Sequence, residues 1–423
     1  MAIYLQNTDF IDWKTLEFSK TDILVKEGQK GGIQFFPSGS AVPENCTPID
    51  CTGKYVTKSF ANGHHHAYSA LALGMPAPKK SPKDFYEILK YIWWNLDKNL
   101  NKEMIEVSAL ATAMESAKNG VSFVIDHHAS PFTVEGSLEI IAKAFDKVGV
   151  SHLLCYETSD RDGREISEKG QEETASFLQN HQGLVGLHAS FTVGNDTFRK
   201  AIEMADEFNS GLHIHVAEDE YDQQYNLDKY HKRVITRMNE LGALQSPKTI
   251  LAHCLHLNDA ERNTVEHSKA WVVQNTESNL NNKVGFFNSV GLGQNIMLGT
   301  DGMHSDMLRS AKATFFVGQN FDNIDYPMTY KRFRNAHTYL GTNGFSGDGE
   351  NNLVVMDYNP RTEFSQENFL GHFIFGLESK HVQHVISNGK LIVKDRELLT
   401  VKEDEILLRA RELSKVLWEK MDK

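Results

Sequence analysis

The sequence predicts an α/β protein, a TIM-like (β/α)8 barrel with a small β-sandwich domain built from both termini. Three observations carry that expectation. Short apolar runs alternate with helix-like stretches through the middle of the 423 residues. There are eight such runs, the number a parallel barrel requires. Both ends of the chain, by contrast, read as strands without helices between them, so they form something apart from the barrel.

The elements follow in chain order. Ala2-Ile3-Tyr4-Leu5, Asp22-Ile23-Leu24-Val25 and residues 32–36 are β-rich runs divided by charged or glycine-containing turns. Residues 55–61, 121–125, 150–155, 184–187, 212–216, 249–252, 270–273 and 295–299 are the eight central runs. Helix-like spacing covers 102–119, 136–147, 165–180, 195–208 and 230–241. An open doubly wound sheet would carry a glycine-rich phosphate turn after its first strand, and none is present. Strand character returns at 354–357 and 384–393, where Asn388-Gly389 between apolar runs signals a two-residue hairpin. Ile406, Leu407, Leu413, Val416 and Leu417 give 403–423 the spacing of a closing helix. The expected organisation is therefore 1–57 plus 350–402 for the composite β-sandwich domain, 58–349 for the barrel and 403–423 for a C-terminal helix.

Composition narrows the partners. With 40% hydrophobic and 24% charged residues the chain is an ordinary globular protein. A formal charge of -12 repels phosphate backbones and anionic lipid, so neither nucleic acid nor a membrane surface is expected as partner. No apolar run is long enough to span a bilayer. The start, MAIYLQNTDFIDW, lacks a basic stretch followed by an apolar core, so a cytoplasmic location is expected. The four cysteines show no CxxC spacing, which argues against a disulfide framework or thiolate zinc knuckle.

The histidines carry the chemical signal. His64, His65 and His66 are consecutive, and His127 and His128 close the second run. His188 ends the fourth, His215 the fifth and His253 the sixth; Asp301 follows the eighth. Barrel active sites sit at the C-terminal ends of the strands, so these residues converge. His64 and His66 share one side of a strand and can grip one ion, whereas His65 faces the other way and packs. His215-x-x-Glu218 brings a ligand and a proton carrier to one centre. Three imidazoles and a carboxylate suit zinc or iron and poorly suit magnesium or calcium. His127, His128 and His213 read as supports behind the ligands or as pocket residues. His304, just past Asp301, and Trp94 are further candidates for substrate contact, and 75–82 reads as a loop.

HxH after the first strand, HxxE after the fifth, Ala252-His253-Cys254 on the sixth and Gly299-Thr300-Asp301-Gly302 on the eighth resemble the amidohydrolase superfamily. The branch resembled is that of the cytosine and guanine deaminases and triazine hydrolases. Within it, Trp93-Trp94-Asn95-Leu96-Asp97, Val124 to Pro131, Gly211 to Asp219 and Ser278 to Asn282 are most similar to the SsnA-like aminohydrolases. The resemblance implies one divalent metal, zinc foremost and iron as the alternative, on His64, His66, His215 and Asp301. It implies that Glu218 shuttles protons, His253 steadies the hydroxide and the tetrahedral centre, Asp301 takes a proton, and His188 faces substrate. No lysine lies in 184–189, where two-metal relatives carry a carboxylated one.

The implied activity is that of a metal-dependent hydrolase of non-peptide carbon–nitrogen bonds. It would be an aminohydrolase releasing ammonia from a heterocycle such as a purine or pyrimidine by attack of metal-bound hydroxide. Hydrolytic ring opening of a cyclic amide or amidine, or loss of another leaving group, is the alternative the same residues would serve. A silent barrel scaffold is the third reading, and the intact set of six residues weighs against it. The resemblance also implies a homodimer. Leu73 stands where many relatives have arginine, Ser190 replaces a proline and Gln274 a histidine, so substrate identity does not carry over.

Overall fold

Both ends of the chain meet in one nine-stranded sheet, seen in a computed structural model that describes residues 2–422. Met1 and Lys423, the outer limits of the predicted segments 1–57 and 403–423, lie outside the described residues. The N-terminal strands are β1 (Ala2–Ile11), β2 (Phe18–Val25), β3 (Ile33–Pro37), β4 (Cys46–Asp50) and β5 (Tyr55–Lys58). β1 pairs antiparallel with β2, which pairs with β3. β1 is also shared on its other edge: residues 2–6 run parallel to β4, and Asp9 and Phe10 run parallel to β5. A register shift between Leu5 and Thr8, with Asn7 at φ +56°, separates the two halves. The expected sandwich is thus hydrogen-bonded as one continuous path, because a ten-residue strand with a bulge serves both halves.

Eight parallel strands follow: β6 (Phe60–His65), β7 (Val121–His128), β8 (Ser151–Tyr156), β9 (Val185–Ala189), β10 (Leu212–Val216), β11 (Ile250–His253), β12 (Trp271–Gln274) and β13 (Ile296–Leu298). They form sheets β6-β7-β8 and β9-β10-β11-β12-β13. Parallel bridges Leu154↔Gly183 and Thr158↔Leu187 join β8 to β9, and His65↔Asp301 sets the end of β13 beside β6. All eight are near-continuous buried runs, as expected of strands covered on both faces. Alternation sorts their side chains. Ala61, Phe123, Ile125, Leu153, Cys155, Val273 and Met297 share one cluster among the strands. Val124 and Leu154 pack outward with the helix Lys102–Lys118, and Ile214, Leu251 and Val272 with the helices of the other side.

The chain then returns to the first sheet through β14 (Leu353–Met356), β15 (Val382–Ser387), β16 (Lys390–Lys394) and β17 (Glu397–Leu398). β14 pairs with β5, Leu353 opposite Lys58. Asn388 and Gly389 both have positive φ, 48° and 73°, as a two-residue hairpin turn requires. A Cβ on Gly389 would lie 2.3 Å from the Lys26 carbonyl oxygen, so only glycine fits. The helix Phe369–Phe375 interrupts the stretch expected to be all β. The closing helix runs Glu403–Met421, and its Trp418 Nε1–H donates to the Leu71 carbonyl at 2.9 Å.

The first central run requires correction. Residues 55–61 are not one strand but the whole of β5 and the start of β6. The break has a polar cause: Arg334 Nη1 donates to the carbonyls of Lys58 and Ser59 at 3.2 and 2.8 Å. Lys58 itself is buried, its Nζ 3.0 Å from Asp348 Oδ1, and Asp348 Oδ2 is 2.8 Å from His337 Nδ1. This ionic group sits where the terminal sheet hands over to the parallel strands. No helix among the described residues is long and apolar enough to cross a membrane, and all four cysteines are free.

Candidate metal centre

The parallel strands deliver their last residues to one place. His64 lies at the end of β6, and His66 follows in extended backbone. Strand alternation turns both inward and turns His65 away, where its Nδ1 is 2.9 Å from Thr300 Oγ1. The amides of Thr300 and Asp301 both donate to the His64 carbonyl at 3.0 Å, which holds Asp301 against the histidines. β10 supplies His215 and β11 His253. The chain bends sharply past these ends: Ala217, His253, Cys254 and Asp301 are non-glycine residues with φ between 45° and 74°. Left-handed backbone costs roughly 1–3 kcal/mol per residue and concentrates at functional sites. Asp222 Oδ2 stabilises one of these bends by accepting the Ala217 amide at 2.9 Å.

The side chains form a tight buried cluster. Ligand atoms of His64, His215, His253 and Asp301 all lie within 4.8 Å of one another. His66 joins through Nε2, 3.1 Å from His215 Nε2 and 3.0 Å from Asp301 Oδ1. Asp301 Oδ2 is held by the Ser278 hydroxyl at 2.6 Å. Nδ1 of His66 donates to the His127 carbonyl at 2.6 Å, and Nδ1 of His215 to the His188 carbonyl at 2.7 Å. Both rings therefore carry their neutral proton on Nδ1, and two bare Nε2 lone pairs face each other. Such a pair needs a cation between it. His64 Nε2 is likewise buried without a hydrogen-bond partner. Nitrogen donors completed by a carboxylate, with an unmet demand for positive charge, fit a divalent transition metal.

His253 is arranged oppositely. The Asn279 side-chain amide donates to its Nδ1 at 2.7 Å, so the neutral ring bears its proton on Nε2. That atom lies 3.5 Å from Glu218 Oε2 and 3.8 Å from Asp301 Oδ2. Electrostatics divides the two carboxyl groups. Burial, reinforced by the negative Asp301, pushes Glu218 well above its ordinary value. Burial would raise Asp301 too, but the imidazoles of His64, His66 and His253 packed against it hold it well below the usual carboxylate range. Burial lowers His64 to about 3 and His253 to about 4.

A cavity opens beside the cluster, reaching His66, His215, Glu218 and Asp301. Its walls are aromatic, with Phe85, Tyr86, Trp94, Phe191 and Tyr221. Trp94 and His188 line it as the sequence suggests, their rings 5.9 Å apart. His304 does not: its Nε2 bonds Glu277 Oε2 at 2.6 Å and its Nδ1 accepts the Asp306 amide, so both ring nitrogens are engaged outside the cavity. His127 is a support, with Nδ1 3.1 Å from Glu157 Oε2. His128 pairs with Ser130 Oγ at 2.9 Å. His213 stands behind His64, 2.9 Å from its Nδ1. Sequence reasoning missed Glu157 and Arg161, which line the cavity after β8. The strand-end rule, extended two residues past the third run, would have found Glu157.

A buried histidine–carboxylate centre at the carboxyl ends of consecutive parallel strands is the architecture of metal-dependent hydrolases on parallel α/β scaffolds. The chain belongs to the amidohydrolase family, whose model matches residues 55–392. A 5-methylthioadenosine/S-adenosylhomocysteine deaminase of Syntrophomonas wolfei is 25% identical over 87% of this chain and 88% of that protein. A 5'-deoxyadenosine deaminase of Methanocaldococcus jannaschii is 24% identical over 88% of this chain and 91% of its own. The crystal structure of an adenosine deaminase from Xanthomonas campestris with bound zinc superposes with a TM-score of 0.83 at 16% identity, covering 98% of both chains. That last likeness is one of fold.

Proposed function

We propose that this chain is a metal-dependent aminohydrolase that releases ammonia from an amino-substituted nitrogen heterocycle, a purine base or its nucleoside foremost. The observation that carries the proposal is the placing of two buried carboxyl groups, Glu218 and Asp301, 3.5 and 3.8 Å from His253 Nε2, with burial pushing the first up and neighbouring histidines holding the second down. Carboxyl groups driven apart in this way mark the acid and base of a site. The relatives named as adenosine-derivative deaminases support the same reading.

His64, His66 and His215, each through Nε2, and Asp301 through Oδ1 would hold one divalent ion, zinc by preference and iron as the alternative. When bound, the ion supplies a Lewis acid and makes water a nucleophile at neutral pH. Glu218 donates its proton to the ring nitrogen beside the carbon that bears the amino group, making that carbon electrophilic. Asp301 accepts a proton from the attacking water. His253, polarised by Asn279, aims Nε2–H at the oxygen that gains charge. Asp301 passes its proton to the amino group, the carbon–nitrogen bond breaks and ammonia leaves; the added oxygen returns its remaining proton to Glu218 and stands as an oxo group where the amino group was. The aromatic walls clasp the flat ring and exclude bulk water.

The same reading takes β6 to β13 as a closed (β/α)8 barrel spanning 58–349. It takes segments 1–57 and 350–402 as a sandwich domain clasping it, and 403–423 as a closing helix.

Ammonia release from zinc-loaded protein across amino-purines, their nucleosides, amino-pyrimidines and triazines tests the function. Release from one compound, lost in His215→Ala, supports it. Consumption of a cyclic amide without ammonia replaces it with ring opening.

A further inference from the structure

His66 and His215 have their tautomers set by main-chain carbonyls, which can only accept. His64 is different. Its Nδ1 faces another imidazole, Nε2 of His213, which can donate or accept. If His64 donates, its Nε2 is bare toward Asp301. If His213 donates, the His64 proton moves to Nε2, 3.5 Å from Asp301 Oδ1, and closes that nitrogen to a cation.

The choice is made on the far side of His213. Its Nδ1 lies 3.7 Å from Cys155 Sγ, and Cys155 Sγ lies 3.5 Å from the Asp126 carbonyl oxygen. That carbonyl accepts only, so the thiol gives it its single proton. Cys155 then offers His213 a lone pair, His213 donates from Nδ1, and its Nε2 is left to accept from His64. We propose that Cys155 and His213 are positioning residues, whose one-way hydrogen-bond chain to the Asp126 carbonyl locks His64 in the tautomer that presents Nε2 to a metal ion.

The chain crosses four strands, β6, β10, β8 and β7, and His64, His213 and Cys155 are all 0% exposed, so water cannot replace a member. Burial also keeps every member neutral, lowering His213 and raising the Cys155 thiol well away from their ordinary values. The inference rests on reading His64 as a ligand and goes further, giving two buried residues that touch neither ion nor substrate a role in affinity.

The test uses the full chain stripped of metal, zinc(II) competition against a chelating dye, and the visible spectrum of the cobalt(II) form. Cys155→Ser keeps a hydroxyl donor and acceptor, and His213→Gln keeps an accepting oxygen near Nε2. Both retain zinc affinity within about threefold, whereas Cys155→Ala and His213→Leu lose roughly 10–100-fold and shift the cobalt bands. Circular dichroism of the metal-free forms establishes folding. If His213→Leu fails to fold, the Cys155 pair, differing by one oxygen, decides. Wild-type affinity in Cys155→Ala, or equal losses in Cys155→Ser and Cys155→Ala, overturns the proposal. His64→Ala separates the two levels. Loss of zinc there with full affinity in His213→Leu and Cys155→Ala sinks only the relay; full affinity in His64→Ala sinks the ligand reading and the relay with it.

Discussion

The Nε2 atoms of His66 and His215 stand 3.1 Å apart while each ring's Nδ1 is tied to a main-chain carbonyl. Their lone pairs repel unless a positive charge lies between them. Zinc(II) at a hundredfold excess over its dissociation constant should therefore stabilise the fold by about 2.7 kcal/mol, read as a rise in melting temperature. His66→Ala and His215→Ala should each abolish most of the rise. An unchanged rise in both would remove these two residues from the ligand set.

Glu218→Gln should lower kcat by about 10²–10⁴ while leaving metal content intact, because the amide keeps the shape and loses the acid. The pH dependence has a definite sign. The folded-state pKa of Glu218 is raised, so its acid form persists above the ordinary carboxylate range and is lost as pH rises through the raised value. Turnover should therefore fall on the alkaline side. Near wild-type turnover in Glu218→Gln would falsify the proton role.

The buried Lys58–Asp348–His337 group ties the end of β5 to the helix Tyr326–Thr342. Asp348→Asn leaves Lys58 charged and unpaired, at a cost of roughly 3–5 kcal/mol. Replacing the lysine instead, as Lys58→Met, should cost much less. Burial would raise Asp348, but His337 and Lys58 hold it below its ordinary value, and burial lowers His337. A depressed folded-state pKa contributes stability that is present above the unfolded value and lost as pH falls. Acid should therefore weaken this junction. Urea midpoints at pH 5 and near pH 3, for wild type and Asp348→Asn, measure it, because the carboxylate's contribution is lost only below its unfolded value of about 3.9; a pH-independent difference across that window would contradict the assignment.

Gly389→Ala should destabilise by at least about 1–2 kcal/mol, since φ is +73° there. The Cβ would also overlap the Lys26 carbonyl, 2.3 Å away, so the turn must shift. A urea midpoint equal to wild type would mean that this hairpin is not fixed against β2.

What could be read from the sequence followed from one physical habit. Parallel strands buried on both faces are unbroken apolar runs, so each change to polar residues marks a strand end. His64, His188, His215, His253 and Asp301 all sit at such changes, and the structure brings them together or beside one cavity. The amidohydrolase resemblance holds for the chain as a family. Three kinds of information were not legible. Lys58 and Ser59 interrupt the run 55–61 without a glycine or proline to mark a break, and only the distant Arg334 shows that two strands meet there. His304 has the right spacing, but Glu277, on the helix Thr276–Asn282, takes its ring away. Hydrogen-bond direction at His64 depends on Cys155 and Asp126, residues from two other strands that no local pattern links to it.

The pairing of β5 with β14 has a consequence for how the chain is made. Lys58 waits for Leu353 across nearly the whole parallel region. At ribosomal speeds of roughly 5–20 residues per second the first five strands emerge many seconds before their neighbour exists. During that interval the β5 edge is an open row of backbone donors and acceptors, the kind that recruits other chains. Vectorial synthesis thus places the nascent protein's greatest exposure to misassembly at its N-terminal sheet, and ends it only when residues 353–356 leave the exit tunnel.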